Sequence, residues 1–376
     1  MIGLDASCAA SECKTRISYG PAWIPAENHP NRYDEVSGRV SWDRRCQNTG
    51  GESFAVLSNG FAPHFTGNNN CQLSFMYLNC AGFYTNPVIN NDCPDPGTIR
   101  DGDRYVLTCT SGGAADAFPI HTSSDLVHWS LSGHIFPSNQ KPSWAGGDFW
   151  APEIHRVGDR YVAYFTARHR DGKLSIGAGT SGSATGPFND IGQPLVHDTG
   201  MGMIDATQFQ APDGNRYLIW KADGNAVGQH TPIYGQQLSG DGTSLIGNRV
   251  TLITNDLGWE GGVVEAPWVV HRDNYYYLFY SGNGYAGAAY AVGVARSNNP
   301  LGPYSKRGDP ILVTNSVWSG PGHNSVVDSP SGRSIMVYHA WPGSHDKRVT
   351  LVDAIEWRDG WPSVPGAPSS GSRPMP

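Results

Sequence analysis

Residues Glu153–Ala167 read EIHRVGDRYVAYFTA, and this stretch decides the fold. A short run with apolar alternation meets Gly158-Asp159, and a second run rich in β-branched and aromatic residues leaves it. Two such runs joined by a Gly-Asp pair read as a β-hairpin. The same sentence is written four more times: DPGTIRDGDRYVLTCT from Asp95, DATQFQAPDGNRYLIWK from Asp205, EAPWVVHRDNYYYLFYS from Glu265 and HNSVVDSPSGRSIMVYHAW from His323. Each unit opens on a polar hook, and the hooks Asp95, Glu153, Asp205, Glu265 and His323 are 58, 52, 60 and 58 residues apart. A period of this length with several strands per unit is the signature of a β-propeller. Five units predict five blades.

The rest of the chain falls around that core. Residues 91–362 provide about 54 residues per blade, and later parts of the units match too: Ser181-GSATGPF and Ser297-NNPLGPY share a Gly-Pro-aromatic ending, with Ser124-DLVHW in the corresponding place of the first unit. Residues 1–90 lack the repeat and read as a Cys-rich lobe or extension of unknown role. Residues 363–376, ending in PGAPSSGSRPMP after Val364, read as a flexible Pro/Ser/Gly tail.

Composition agrees with an all-β protein. Of 376 residues 47 are glycine, nearly twice the usual share of about 7%, while charged residues make up only 16% against about 25%. Few charged helix formers argue against a coiled coil, and 11% aromatics argue against disorder. With 26 Lys and Arg and a net charge of −7, no basic face is available for nucleic acid. The longest apolar runs, such as Tyr275–Tyr280, have strand length, so no membrane partner is expected. Of seven cysteines, Cys8, Cys13, Cys46, Cys71, Cys80 and Cys93 lie in the first 93 residues and Cys109 follows. They read as a disulfide framework in an oxidising compartment, which predicts secretion to the extracellular space or periplasm. The odd number leaves at least one thiol free or paired elsewhere, and the buried free thiol is expected first at Cys109, inside an apolar strand pattern.

Equivalent positions of a propeller unit converge on its axis, so the repeat locates a site. Four carboxyls and an imidazole in one funnel cannot all ionise freely, and some pKa values must rise. A raised acid beside an ionised base is what glycosidic bond cleavage requires. Taken singly, each hook can equally bond the backbone of its neighbouring blade, and repeat symmetry does not choose among the carboxyls.

In combination the motifs resemble glycoside hydrolase family 43, five-bladed propellers that cleave arabinose- and xylose-containing glycans. They are Asp95-Pro-Gly, Phe149-Trp-Ala-Pro-Glu153, Ile204-Asp205, Glu265-Ala-Pro-Trp268, Gly320-Pro-Gly-His323 and Asp359-Gly-Trp-Pro362. The resemblance implies Asp95 as general base, Glu265 as general acid and Asp205 as the carboxylate that raises and orients the acid. It implies inversion by a single displacement, with no cofactor required, and a structural calcium or sodium in the central channel near His323. Many members carry Gly after the acid, where this chain has Ala266. Glu153 sits in a motif that is structural in the family and is left out of the triad.

Phe149, Trp150 and Trp220 are candidates to stack on a sugar ring, with Phe149 and Trp150 on a rim loop after Gly146-Gly147. Trp268 and Trp318 are further candidates, although all five can fill blade interfaces instead. Arg348 is a candidate to reach the substrate. Gly177-Ala-Gly-Thr-Ser-Gly182 satisfies G-x-G-x-x-G but lacks the helix that dinucleotide binding needs, and reads as a turn. The fructan-hydrolase opening W-M-N-D-P-N-G is absent. The expected protein is a monomeric inverting glycosidase, first an exo-acting α-L-arabinofuranosidase, with endo-1,5-α-L-arabinanase and β-xylosidase as alternatives on the same triad. A non-catalytic carbohydrate-binding propeller is the rival of another class, and the intact triad counts against it.

Overall fold

The repeated hairpins form, and their turns show why. Val157 pairs with Arg160 and Asp101 with Arg104 across two-residue turns whose first members, Gly158 and Gly102, have φ of 66° and 67°. In the fourth unit Arg272 pairs with Tyr275 across Asp273 and Asn274, both at positive φ. These are the short connections whose twist suits paired strands.

The computed structural model describes residues 82–376. The expectations for Cys8, Cys13, Cys46, Cys71 and Cys80, and for most of the proposed lobe 1–90, lie outside these residues. Thr85–Ser372 is one compact unit. It contains four four-stranded antiparallel sheets and one three-stranded sheet, each a meander in chain order. Their first strands are Gly97–Asp101, Ala145–Val157, Met203–Gln210, Val264–Arg272 and Ser319–Asp328. Each packs on the next, and the fifth on the first, closing a five-bladed ring.

Apolar clusters fill four of the five blade interfaces. Phe118, Phe136 and Phe165 meet Phe149 and Trp144 between blades one and two, and Tyr164, Trp220 and Met203 meet between two and three. Phe209, Tyr276 and Leu278 lie between three and four, and Trp268, Trp318 and Tyr338 between four and five. The closing interface is held differently. Ile89 bridges to Thr350 on the outer strand of blade five, and the Cys93 N–H donates to the Arg348 carbonyl at 2.9 Å. Cys93 is then joined by a disulfide to Cys109 in blade one. Cys109 is therefore not the free thiol expected from its apolar surroundings: a buried disulfide presents the same apolar face to its strand.

Two further expectations are corrected. Gly177 and Gly179 lie within strand Leu174–Ser181, not in a turn, and a Cβ at Gly177 would run into the rings of Phe165 and Trp144. The start of the supposed loose tail packs on the propeller: Ser369 is buried, its carbonyl accepts from Trp318 Nε1 at 3.0 Å, and its N–H donates to Asp353 at 3.1 Å.

One local irregularity recurs around the axis. The first strands of blades two to five each slip register, between Trp150 and Glu153, Ile204 and Thr207, Glu265 and Trp268, and Gly322 and Ser325. Inside each slip one non-glycine residue has left-handed φ: Ala151 (42°), Asp205 (57°), Ala266 (53°) and His323 (50°). Asp95, just before the first strand of blade one, matches them at 59°. Such β-bulges re-aim side chains, and left-handed φ costs an L-residue about 1–2 kcal/mol. The structure thus corrects the alignment of the hooks. The equivalent positions are Asp95, Ala151, Asp205, Ala266 and His323, so Glu153 lies two residues beyond the ring and Glu265 one residue before it.

Glycine tolerates this conformation where alanine is strained. Ala266→Gly is expected to stabilise the fold by about 1 kcal/mol, read as a higher midpoint in calorimetry. An unchanged or lower midpoint would show that any strain there does no more than offset the extra unfolded-state freedom of glycine.

Candidate active site

Each of these five left-handed residues presents a backbone N–H that the previous blade captures with a side chain. The Asp95 N–H donates to His339 Nδ1 (3.1 Å), Ala151 to Thr110 Oγ1 (2.8 Å), Asp205 to Thr166 Oγ1 (3.1 Å) and His323 to Ser281 Oγ (2.8 Å). The fifth, from Ala266, donates instead to the carboxylate Oδ2 of Asp205 at 3.1 Å. Locked in this way, Asp95, Asp205, Glu265 and His323 face one cavity of about 300 Å³ on the axis, with Trp150, Lys221, Tyr285 and Arg348 also in its wall.

Asp95 is held as an anion. Burial by itself would raise its pKa, but the Arg348 guanidinium and the His323 imidazole pull it well below the usual carboxylate range. Its Oδ1 lies 3.1 Å from Arg348 and 3.2 Å from His323 Nδ1, and its Oδ2 accepts from Thr110 Oγ1 at 2.6 Å. Arg348 is kept in place by the rings of Tyr285 and Trp341, at 4.8 and 5.8 Å from their centroids.

Across the cavity the balance is opposite. Burial pushes Asp205 up to about 7, with the Glu265 charge adding to it. Burial acts on Glu265 in the same sense but is outweighed by Lys221, and Glu265 stays below its ordinary value. Lys221 Nζ sits 2.8 Å from Glu265 Oε2 and 3.1 Å from Asp223, and the Tyr290 hydroxyl donates to Glu265 Oε1 at 2.8 Å. The carboxyl pair therefore carries one proton up to about pH 7, beside an Asp95 that its cations keep ionised well below that.

The other candidates separate. Trp150 and Arg348 line the cavity. Phe149, its chain neighbour, does not: it is 4% exposed and packs edge-on against Phe118 at 5.6 Å. Both belong to strand Ala145–Val157 rather than to a rim loop, so one turns to the axis and the other to the core. Trp220 is 1% exposed in the core between blades two and three and is likewise no sugar platform; Trp268 and Trp318 are core residues too. Glu153 is buried and bonded to His155 Nε2 at 2.7 Å, outside the cavity wall. Lys221, Tyr290, Thr110 and His339 were not singled out from sequence. All but Tyr290 stand opposite the residue that precedes a left-handed position, a register that the spacing along the chain does not reveal.

A direct bond from His323 to the implied ion needs a free lone pair on the imidazole. Burial would lower the His323 pKa, but Asp95 reverses this and lifts it to about 9. A protonated imidazole whose Nδ1 already faces Asp95 has no lone pair to give. His323 does not fit as a direct ligand, and no chemistry is assigned to an ion there. Elsewhere among the described residues His169, Asp171 and His197 gather metal-type donor atoms, already bonded in pairs at 2.9 and 3.1 Å.

A five-bladed propeller with an ionised carboxylate facing a proton-sharing carboxyl pair belongs to the class of glycoside hydrolases. Residues 84–362 match the family model of glycosyl hydrolases family 43, and the chain belongs to that family. It is 29% identical over 300 residues to a β-D-galactofuranosidase, xynD, of Aspergillus niger, covering 74% of this chain and 84% of the relative. It is 26% identical over 311 residues to a β-xylosidase of Bacillus subtilis, covering 75% of this chain but only 57% of that longer protein. The crystal structure of a thermostable family-43 glycoside hydrolase superposes with a TM-score of 0.71 at 34% identity, covering 78% of this chain and 99% of that one.

Because Arg348 is a principal cause of the low Asp95 pKa, Arg348→Met is expected to raise it by about 1–3 units, measured by carbon-13 titration of the carboxyl. A shift below half a unit would mean that His323 alone holds Asp95 ionised.

Proposed function

We propose that this protein is an inverting glycosidase of arabinose- or xylose-containing plant polysaccharides, acting from a chain end as an α-L-arabinofuranosidase. The observation that carries the reading is the division of charge across the axial cavity. Asp95, ionised, takes a proton from water as the water attacks the anomeric carbon. Glu265 gives its proton to the departing glycosidic oxygen, and the carbon–oxygen bond breaks on the opposite face. Asp205, carrying the proton of the pair in the free enzyme, holds the Ala266 amide and lets Glu265 take up a proton as substrate displaces solvent. The two carboxyl groups and water suffice, so no cofactor enters the reaction.

Trp150 and Tyr285 offer stacking faces to the sugar, and Arg348, already bonded to Asp95, offers a donor to its hydroxyls. A cavity of about 300 Å³ stands at the small end of ligand sites, ~300–1,000 Å³, which favours one terminal sugar over an internal stretch of polymer. The relative named a β-D-galactofuranosidase supports a furanose, while the one named a β-xylosidase keeps xylose in play. The Cys93–Cys109 disulfide supports the proposed secretion.

Asp95→Ala and Glu265→Ala are each expected to lower kcat on a glycan by about 10²–10⁴-fold while binding persists. The first product seen by proton NMR should have the inverted anomeric configuration. Parallel assays on aryl α-L-arabinofuranoside, aryl β-xyloside and linear arabinan, with product length measured, decide the sugar and the mode. Retention of configuration, or near-normal turnover in either variant, overturns the mechanism; long initial products from arabinan overturn the exo assignment.

A further inference from the structure

The five captures of a bulge N–H have one exception, and it falls at Glu265. Thr110, Thr166, Ser281 and His339 each accept from the bulge of the next blade. The corresponding residue of blade three, opposite Ile204 as Thr166 is opposite Trp150, is Lys221. An ammonium has three donors and no acceptor. It cannot take the Ala266 N–H, which turns to Asp205, and it takes the side-chain carboxylate of Glu265 instead.

We propose that Lys221 is a positioning residue for the general acid: by occupying Oε2 of Glu265 it confines the transferable proton to Oε1, the oxygen facing Tyr290. This rests on the reading of Glu265 as the acid. Lys221 is 1% exposed on its side chain and has carboxylates on two sides, Glu265 at 2.8 Å and Asp223 at 3.1 Å, so its head has little freedom to leave. Oε2 can hold no proton against a donor that cannot reverse. Oε1 can, because the Tyr290 hydroxyl at 2.8 Å can rotate from donating to accepting, or yield its place to the glycosidic oxygen. Among the described residues the titratable groups facing Glu265 are Lys221, Tyr290, His323 and Asp205, and of these Lys221 is the cation that hydrogen-bonds it. A neutral acceptor here, like the Ser or Thr of other blades, would leave both oxygens open to the proton and the carboxyl free to turn.

The test is the full chain with Lys221→Met, Lys221→Gln and Lys221→Arg, assayed on glycosides of graded leaving-group acidity. Met and Gln should move the basic limb of kcat/KM upward by at least about one unit, because loss of the cation raises the proton affinity of the acid about tenfold or more. They should slow a poor leaving group at least about tenfold more than a dinitrophenyl one, which needs no protonation. Arg should restore both. An unmoved limb, or a loss independent of the leaving group, overturns the inference; a merely structural lysine would give that uniform loss. If Met does not fold, the contrast between Gln and Arg decides. Glu265→Gln is the control. If it leaves poor leaving groups unaffected, the acid assignment itself has failed; if it shows the leaving-group-dependent loss and Lys221→Gln does not, only the role of Lys221 falls.

Discussion

A left-handed residue in the middle of a β-strand leaves one N–H out of the ladder, and something must accept it. In this protein that need is met across the blade boundary, by a side chain from the preceding blade. The bond ties each blade to the next at the point where strain is stored, and it orients the strained side chain toward the axis. Asp95, Asp205 and His323 are aimed by this device, and Glu265 by its effect on the neighbouring Ala266. Geometry of the site and cohesion of the ring are thus one interaction. Strain of this kind persists only where its surroundings over-determine it. Here those surroundings are the apolar interfaces outside the axis and the disulfide-linked closure.

The axial charges follow from the same arrangement. Three carboxyls buried in one cavity would each resist ionisation. The structure places cations unevenly: Arg348 and His323 by Asp95, Lys221 by Glu265, and none ion-paired with Asp205 among the described residues. One carboxyl is firmly ionised, and the other two share what remains. The functional asymmetry of a nearly symmetric ring comes from which residue each blade supplies opposite its bulge. Threonine, serine and histidine each accept the backbone proton of the next blade, whereas lysine, having no acceptor, bonds only to carboxylate side chains.

Much of this was legible in the sequence. The hairpins were, because a two-residue turn demands particular residues and paired strands demand apolar ones, whatever else the chain does. The cavity residues Asp95, Asp205, Glu265, His323, Trp150 and Arg348 were also found, by repeat position and by family resemblance. Phe149 and Trp220 were misplaced because an aromatic near a hook has the same composition whether it faces the axis or a blade interface. Cys109 was misread because a buried thiol and a buried disulfide sit in the same apolar pattern. Glu153 was aligned with the hooks by counting residues, and a bulge adds a residue without leaving a mark in the spacing.

The sequence by itself determined five blades, their turns and the set of acidic and aromatic residues near the axis, because local pairing and periodicity depend on neighbours along the chain. Only the tertiary structure decided which of those residues face the cavity and how their charges are balanced. Both depend on contacts between blades: Arg348 lies 253 residues from Asp95, His339 lies 244 residues from it, and Lys221 lies 44 residues from Glu265. Burial and partnership at that range set a pKa, and no pattern along the chain encodes them.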